Sequence, residues 1–293
     1  MRKIILPVLL LFALQLSSPP AGAVPLWSVQ APDGKSTVLV LGSVHLLRPA
    51  DQPLPPAVHD AYRRAGRIMV ELDPAELEPA ATQAALERIG IATPGRSVAE
   101  SLQPAEWRRA EALASAAGLD LQAVSMMEPW FASIVLYTDA LGASGYEAEL
   151  GVDQQVTTWA QRDGKPVIGL ETLEEQLLLF KTLGEERQRE ILLKTLEDAA
   201  ALETDTDALV ADWRAGDAAA LAARLATDFE GYEDLRDSIV IRRNQAWLSR
   251  VEGLLALPGT SLVVVGALHV VGPDGLPQLL EARGYRVQKL EDR

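Results

Sequence analysis

The chain has 293 residues, 48% of them hydrophobic, with 41 acidic against 27 basic side chains, a net charge of −14, three histidines and no cysteine. That length buries a sizeable core, as one large domain or as a core with a helical insertion. The absence of cysteine excludes a disulfide scaffold and a Cys-anchored lipoprotein, and so acidic a surface argues against nucleic acid or anionic lipid as partner.

The first residues read as a signal peptide over residues 1–23. Arg2 and Lys3 supply the positive start, Ile4 to Leu16 the apolar stretch, and Ala21-Gly22-Ala23 a small-residue cleavage site. The apolar stretch is shorter than the ~20 residues a bilayer span needs. A soluble periplasmic or secreted protein is therefore expected, with no stable membrane insertion after cleavage. Its charge would be −16, because Arg2 and Lys3 leave with the peptide and 25 basic residues remain against 41 acidic ones.

Leu26 to Gln30 and Thr37 to Leu41 read as two strands of a hairpin around the turn cluster Pro32-Asp33-Gly34-Lys35. Pro55 and Pro56 open a helix carrying His59, Tyr62 and Arg63, closed by Gly66. Arg67 to Leu72 is the next strand, and Asp73-Pro74 then resembles an N-cap with proline in the first turn. From about residue 75 to 257 the chain is mainly helical, interrupted by a strand at Pro166 to Leu170 and the capping box Thr172-x-x-Glu175. Ser261 to Val265 is a β-branched strand, Leu276 to Arg283 a helix, and Arg286 to Leu290 a closing strand. The order predicts an α/β fold, a mixed β-sheet formed by N- and C-terminal strands with a large helical middle layer, as a single domain over residues 24–293.

The most informative pattern is an internal repeat at opposite ends of the chain. Gly42-Ser43-Val44-His45 and Gly266-Ala267-Leu268-His269 each follow a short apolar run, Val38 to Leu41 and Leu262 to Val265. A strand that stops at glycine can turn sharply or approach a neighbouring backbone, and here each presents an imidazole just beyond its end. Imidazole is the common metal ligand and the acid/base group of neutral pH. The structural alternative is a pair of loop histidines that only satisfy hydrogen bonds at the sheet edge.

Two acids share that address. Glu71 lies near the end of the strand at Arg67 to Leu72, and Glu171 follows the strand at Pro166 to Leu170. In open α/β sheets ligands bind outside the carboxyl ends of the strands, so His45, Glu71, Glu171 and His269 converge if those strands are parallel. Each acid has a plainer account, Glu71 as an exposed strand-end side chain and Glu171 as an acid beside a helix N-terminus. Asp73 is assigned to helix capping, and His59, mid-helix beside Asp60, reads as an ordinary solvated histidine. Arg243-Asn244 offers a cationic fork and an amide suited to a carboxylate, a carbonyl or a developing oxyanion; a solvated basic face explains Arg242 and Arg243 equally well. Tyr146 is a weaker candidate of the same kind. Met126-Met127 with Pro129-Trp130-Phe131 suggests an apolar groove, or simply core packing in the helical layer.

These residues together resemble the TraB/GumN proteins, relatives of the TIKI metalloproteases and more distantly of the erythromycin-esterase and ChaN-like group. The resemblance is carried by the two G-x-x-H units, Val70-Glu71-Leu72-Asp73, Gly169-Leu170-Glu171-Thr172 followed by Gln176, Arg243-Asn244, and Gly272 to Leu276. It runs from about Trp27 to the C-terminus. It implies a sheet whose strand ends gather two histidines and a glutamate with the Arg-Asn pair nearby, and, for the TIKI branch, metal-dependent peptide cleavage. The sequence contains no HExxH and does not read as a zincin.

The residues themselves suggest a compatible mechanism. His45, His269 and Glu71 would ligate a divalent transition metal (Zn, Mn or Co) and leave a position for water, whose pKa a zinc ion lowers from about 15.7 to about 7. Arg243 and Asn244 would stabilise the oxyanion, and Glu171 is a candidate general base. The substrate would be a peptide or a small molecule. Two alternatives remain open: a metal-free esterase-like hydrolase with a histidine base partnered by Glu71 or Glu171, and a non-catalytic periplasmic protein binding a peptide or haem-like ligand through the same histidines.

Overall fold

The β-branched and leucine-rich runs Val38 to Leu41 and Leu262 to Val265 are apolar enough to be covered on both faces and form the centre of one sheet. The computed structural model describes residues 24–74, 79–91 and 93–291; the predicted signal peptide lies outside them. The strands are β1 (Leu26–Gln30), β2 (Ser36–Ser43), β3 (Arg67–Leu72), β4 (Val167–Glu171), β5 (Gly259–Gly266) and β6 (Arg286–Lys289). Their order across the sheet is β4-β3-β5-β2-β1-β6. The four strands from β4 to β2 are mutually parallel. β1 is antiparallel to both β2 and β6, and the β1–β2 turn uses Gly34 at φ +71°.

Around this mixed sheet lie α1 (Pro56–Arg64), α2 (Pro79–Gly90), α3 (Val98–Ser101), α4 (Pro104–Ala116), α5 (Pro129–Ala143) and α6 (Val152–Asp163) before β4. Between β4 and β5 come α7 (Leu173–Lys181), α8 (Glu185–Asp198), α9 (Leu202–Arg214), α10 (Ala218–Asp228), α11 (Glu233–Arg236) and α12 (Arg242–Leu255), and α13 (Leu276–Ala282) precedes β6. The fold is thus α/β, with a helical majority around a central sheet, as the element order predicts. The helix expected from Asp73-Pro74 runs into residues 75–78, outside the described ones; the described helix begins at Pro79. Pro129 starts a helix by occupying its first turn rather than only breaking one.

The route of the chain sets the site. β2 leads through α1 to β3 and leaves a slot one strand wide, which β5 fills from the far end of the sequence. Leu39, Val40, Leu41 and the run Leu262 to Val265 are completely buried there. From α12, Arg250 Nη1 donates to the Gly169 carbonyl of the edge strand β4 at 3.0 Å. Two smaller apolar clusters stabilise the helical layer, one built on Val98, Ala110, Leu136 and Leu192, the other on Ile89, Trp130, Phe131, Leu173 and Leu177. Trp130 and Phe131 are therefore core residues, although Met127 and Phe131 also line an apolar cleft of about 370 Å³ with Leu86 and Ile91.

Candidate functional site at the strand ends

Because β2 and β5 are adjacent and parallel, the two G-x-x-H units leave the sheet side by side. Their register is shifted by one residue: Ser43 pairs with Gly266, and Gly42 with Val265. The two glycines consequently do different work. A Cβ on Gly42 would lie 2.7 Å from Val270 Cγ2 and 3.0 Å from Ala267 Cα, so its absence lets the second loop pack against the first. A Cβ on Gly266 would lie 3.1 Å from His45 Nε2, 3.4 Å from Glu71 Oε1 and 3.6 Å from His269 Cδ2. Its absence opens a space bounded by those three side chains.

Both imidazoles are held by their Nδ1 atoms. His269 Nδ1 lies 2.7 Å from Asn244 Oδ1. The Asn244 amide nitrogen already donates to the carbonyls of His269 at 3.2 Å and Asp274 at 2.8 Å, so Oδ1 faces the ring as an acceptor and Nδ1 carries the proton. The Nε2 lone pair is then free to accept, and Arg243 Nη1 approaches it at 3.0 Å. His45 Nδ1 lies 3.0 Å from Asp153 Oδ1, in the first turn of α6. His45 Nε2 and His269 Nε2 lie 3.9 and 4.0 Å from the same atom, Glu71 Oε1.

Arg243 ties the carboxylates together. It reaches them from the start of α12, directly after a π-helical turn at Asp237–Ile241. Nη2 donates to Glu71 Oε2 at 2.5 Å and to Glu171 Oε1 at 2.6 Å, Nε to Glu171 Oε2 at 3.2 Å, and Nη1 to the Ile239 carbonyl at 3.1 Å as well as to His269. All five guanidinium donors are thereby engaged. Glu171 also accepts from Gln176 Nε2 at 3.1 Å and Trp247 Nε1 at 3.2 Å, while Trp247 lies beneath both Arg243 and the His269 ring. Glu71 Oε1 accepts the Gly266 N–H at 2.6 Å.

The electrostatics follow from this packing. Burial disfavours charge on Glu71, but His269, Arg243, His45 and the Gly266 N–H draw its pKa down to about 2. Burial pushes His269 down to about 3, so it is neutral. Burial raises Glu171, with Arg243 opposing the shift. The Asp153 carboxylate, aided by Glu71, lifts His45 to about 9, even though half of that side chain faces solvent. With both histidines neutral, Glu71, Glu171 and Asp153 would stand against the single cation Arg243, a deficit of two positive charges. The proton on His45 is the chain's own partial answer to it.

All six predicted residues meet here, in different capacities. His45, His269 and Glu71 face the shared space. Arg243, Glu171 and Asn244 stand behind them: Asn244 is completely buried and has its amide fully bonded, so it positions His269 instead of offering a donor to an oxyanion. Glu171 anchors Arg243 through both oxygens, which leaves it little capacity as a base. Asp153, Trp247 and the π-helical turn were not singled out by sequence; only the acidic first turn of α6 hinted at Asp153. Tyr146 lies apart, its hydroxyl donating to Asp207 at 2.5 Å. His59 is half-buried and stacks on Trp159 at 4.5 Å, a packing role where a solvated one was expected.

A transition ion can be tested against this geometry. Among the described residues no three His, Cys, Asp or Glu side chains are drawn close enough to hold an ion as they stand. Tetrahedral zinc bonds put neighbouring ligand atoms roughly 3.4 Å apart, so the two Nε2 atoms need to close on Glu71 Oε1 by about 0.5 Å. The space over Gly266 and the two oxygen-held Nδ1 atoms suit such a set, since ligating histidines ordinarily donate their other N–H to an oxygen. The donors fit.

A family model described as TraB/PrgY/gumN family matches residues 25–289. The chain is 25% identical to the uncharacterized protein YbaP of Escherichia coli (strain K12) over 242 residues, 82% of this chain and 86% of that protein. It is 22% identical to an uncharacterized protein of Treponema pallidum (strain Nichols) over 274 residues, 88% of this chain and 80% of that one. No solved structure matches.

Proposed function

From a chain that belongs to the TraB/PrgY/gumN family, we propose an exported, metal-dependent hydrolase in which His45, His269 and Glu71 hold a divalent transition ion. The observation that carries the reading is the pair of imidazoles whose Nε2 atoms lie 3.9 and 4.0 Å from one Glu71 oxygen beside the open side of Gly266. Ligation needs both imidazoles neutral, and the deficit of two positive charges that this leaves among Glu71, Glu171, Asp153 and Arg243 is what a divalent ion would fill. When bound, the ion supplies Lewis acidity, which polarises a carbonyl and acidifies water.

The chain's residues do the rest. Asp153 and Asn244 fix the ring orientations and tautomers. Glu171, Gln176 and Trp247 hold the Arg243 fork. Ligation through His269 Nε2 would release the Arg243 Nη1–H bonded there, giving the site a cationic donor for the negative charge that develops on a carbonyl oxygen during attack. Peptide bonds are the substrate class that the resemblance to the TIKI branch suggests. A metal-free hydrolase with His45 as base is less well supported, because a ring lifted to about 9 is already protonated at neutral pH.

The test contrasts three chemically identical side chains. Protein purified without added metal is assayed by elemental analysis and by melting with Zn²⁺, Mn²⁺ or Co²⁺; saturation at about 100 times Kd should stabilise it by about 2.7 kcal/mol. In a screen of peptide and ester substrates, His45→Ala and His269→Ala should each lose nearly all turnover, with the double variant little worse, since each destroys the same site. His59→Ala should keep its turnover and lose only the Trp159 contact. A well-folded, fully active His269→Ala, or a wild type indifferent to all three ions, sinks the metal-dependent reading; hydrolysis without metal would then favour the metal-free enzyme.

A further inference from the structure

One polar atom at the strand ends has no partner. Ser43 is 2% exposed, and its Oγ is shut off from solvent without a hydrogen bond. A buried, unsatisfied hydroxyl destabilises a fold unless something else meets it. Register shows which way this one faces. Ser43 and Gly266 are paired across β2 and β5, and partners in parallel strands about 4.8 Å apart direct their side chains to the same face of the sheet. On Gly266 that face is the space bounded by His45 Nε2, Glu71 Oε1 and His269 Cδ2. Ser43 therefore borders the same space from the adjoining strand.

We propose that Ser43 is a further binding residue of this site, its Oγ–H donating to an oxygen atom of whatever occupies the space over Gly266, whether a water molecule or a carbonyl or carboxylate oxygen of the substrate. The inference rests on the reading of the strand ends as the functional site, and needs no metal. The chemistry is specific. Of the groups already placed there, the Glu71 oxygen is an acceptor, His269 Nε2 is met by Arg243, whose five donors are all engaged, and the protonated His45 offers only a charged N–H. A hydroxyl adds a neutral donor that can also accept, which is what an oxygen ligand requires and an apolar one does not.

The test uses the unusual sign of the expected effect. Ser43→Ala removes an unpaired hydroxyl, so the ligand-free protein should melt at the same temperature or roughly 2–4 °C higher. Crystals of the wild type, ligand-free and soaked with acetohydroxamate, should show an ordered oxygen within hydrogen-bond distance of Ser43 Oγ in at least one state: in the ligand-free crystal it is water, in the soak alone it is a ligand oxygen. The Ser43→Ala crystals should lack it, and acetohydroxamate affinity should fall roughly three- to tenfold wherever binding is measurable. Ser43→Thr, which keeps the hydroxyl, should restore the oxygen. If Ser43 Oγ is bonded to a protein carbonyl in both wild-type crystals, or no oxygen lies near it in either, the proposal is overturned. Zinc soaks separate the two readings. An ordered oxygen on Ser43 with no ion among His45, His269 and Glu71 removes the metal and keeps Ser43; an ion there with Ser43 bonded to protein does the reverse.

Discussion

Arg243 is the residue on which the site's charges depend, because two buried carboxylates share its one guanidinium. Removing one partner of a buried ion pair strands the other, at a cost of about 3–5 kcal/mol. Arg243→Met should therefore lower stability by about that much in chemical denaturation, and Glu171→Gln in the same chain should recover part of it. Arg243→Lys should fall between, since an ammonium keeps the charge without the bidentate fork. An Arg243→Met protein as stable as the wild type would show that the carboxylates are solvated or protonated. Asp153 carries a different signature. A ring whose pKa is about 9 in the folded chain, against an ordinary 6.5, binds its proton more tightly folded than unfolded. Its contribution is complete below about pH 6.5, shrinks as pH rises, and is gone once pH has passed through about 9. In chelator-treated protein the melting-temperature advantage of wild type over Asp153→Asn should follow that curve; a pH-independent difference would make Asp153 a packing residue only. His45, Glu71, Glu171 and His269 were legible in sequence because each lies at or just past the end of a strand, whereas Asp153 was not, since an acid in a helix's first turn is accounted for by the dipole alone. Asn244 was legible as a polar group, but its role depends on backbone carbonyls that only the folded chain supplies.

At the level of elements, the repeat reads alike in both copies but its register makes them unequal. Gly42 faces packed atoms of the second loop, Val270 Cγ2 and Ala267 Cα, while Gly266 faces the side chains of the site. Gly42→Ala should overpack that junction and cost about 1–3 kcal/mol. Gly266→Ala places a methyl 3.1 Å from His45 Nε2, a side-chain atom with room to yield, so the fold should survive while metal or ligand binding is lost. Melting curves alongside metal titration check the pair; equal destabilisation by both would mean that Gly266 is there only for packing. The alternating and β-branched runs predicted the strands closely, and the capping box at Thr172 and Glu175 forms as read. The position of β5 between β3 and β2 was hidden, because nothing local specifies which slot a strand from the far end of the chain will fill. The π-helical turn was hidden as well: its residues read as ordinary helix, and its Ile239 carbonyl takes a bond from Arg243 that only the folded chain shows.

For the whole molecule, the sheet joins both ends of the described chain. β1 lies between β2 and β6, Val24 is completely buried, and the Pro25 carbonyl accepts the Gly42 N–H at 2.7 Å, one residue before Ser43. The polypeptide just after the predicted cleavage point is thus part of the structure that supports the first G-x-x-H unit. No helix among the described residues is long and apolar enough to cross a membrane; the charged start, apolar stretch and Ala21-Gly22-Ala23 are the candidate targeting signal. Export predicts a mature chain beginning at or near Val24. Intact-mass measurement on protein from a periplasmic fraction should then show the loss of residues 1–23. Recovery there only of full-length chain, with Met1 retained, would refute cleavage. Truncation within the fold gives the complementary result: deleting Val24 and Pro25 removes a buried side chain and the acceptor for Gly42, so it should impair folding, whereas deleting residues 1–23 should leave stability unchanged in a thermal melt.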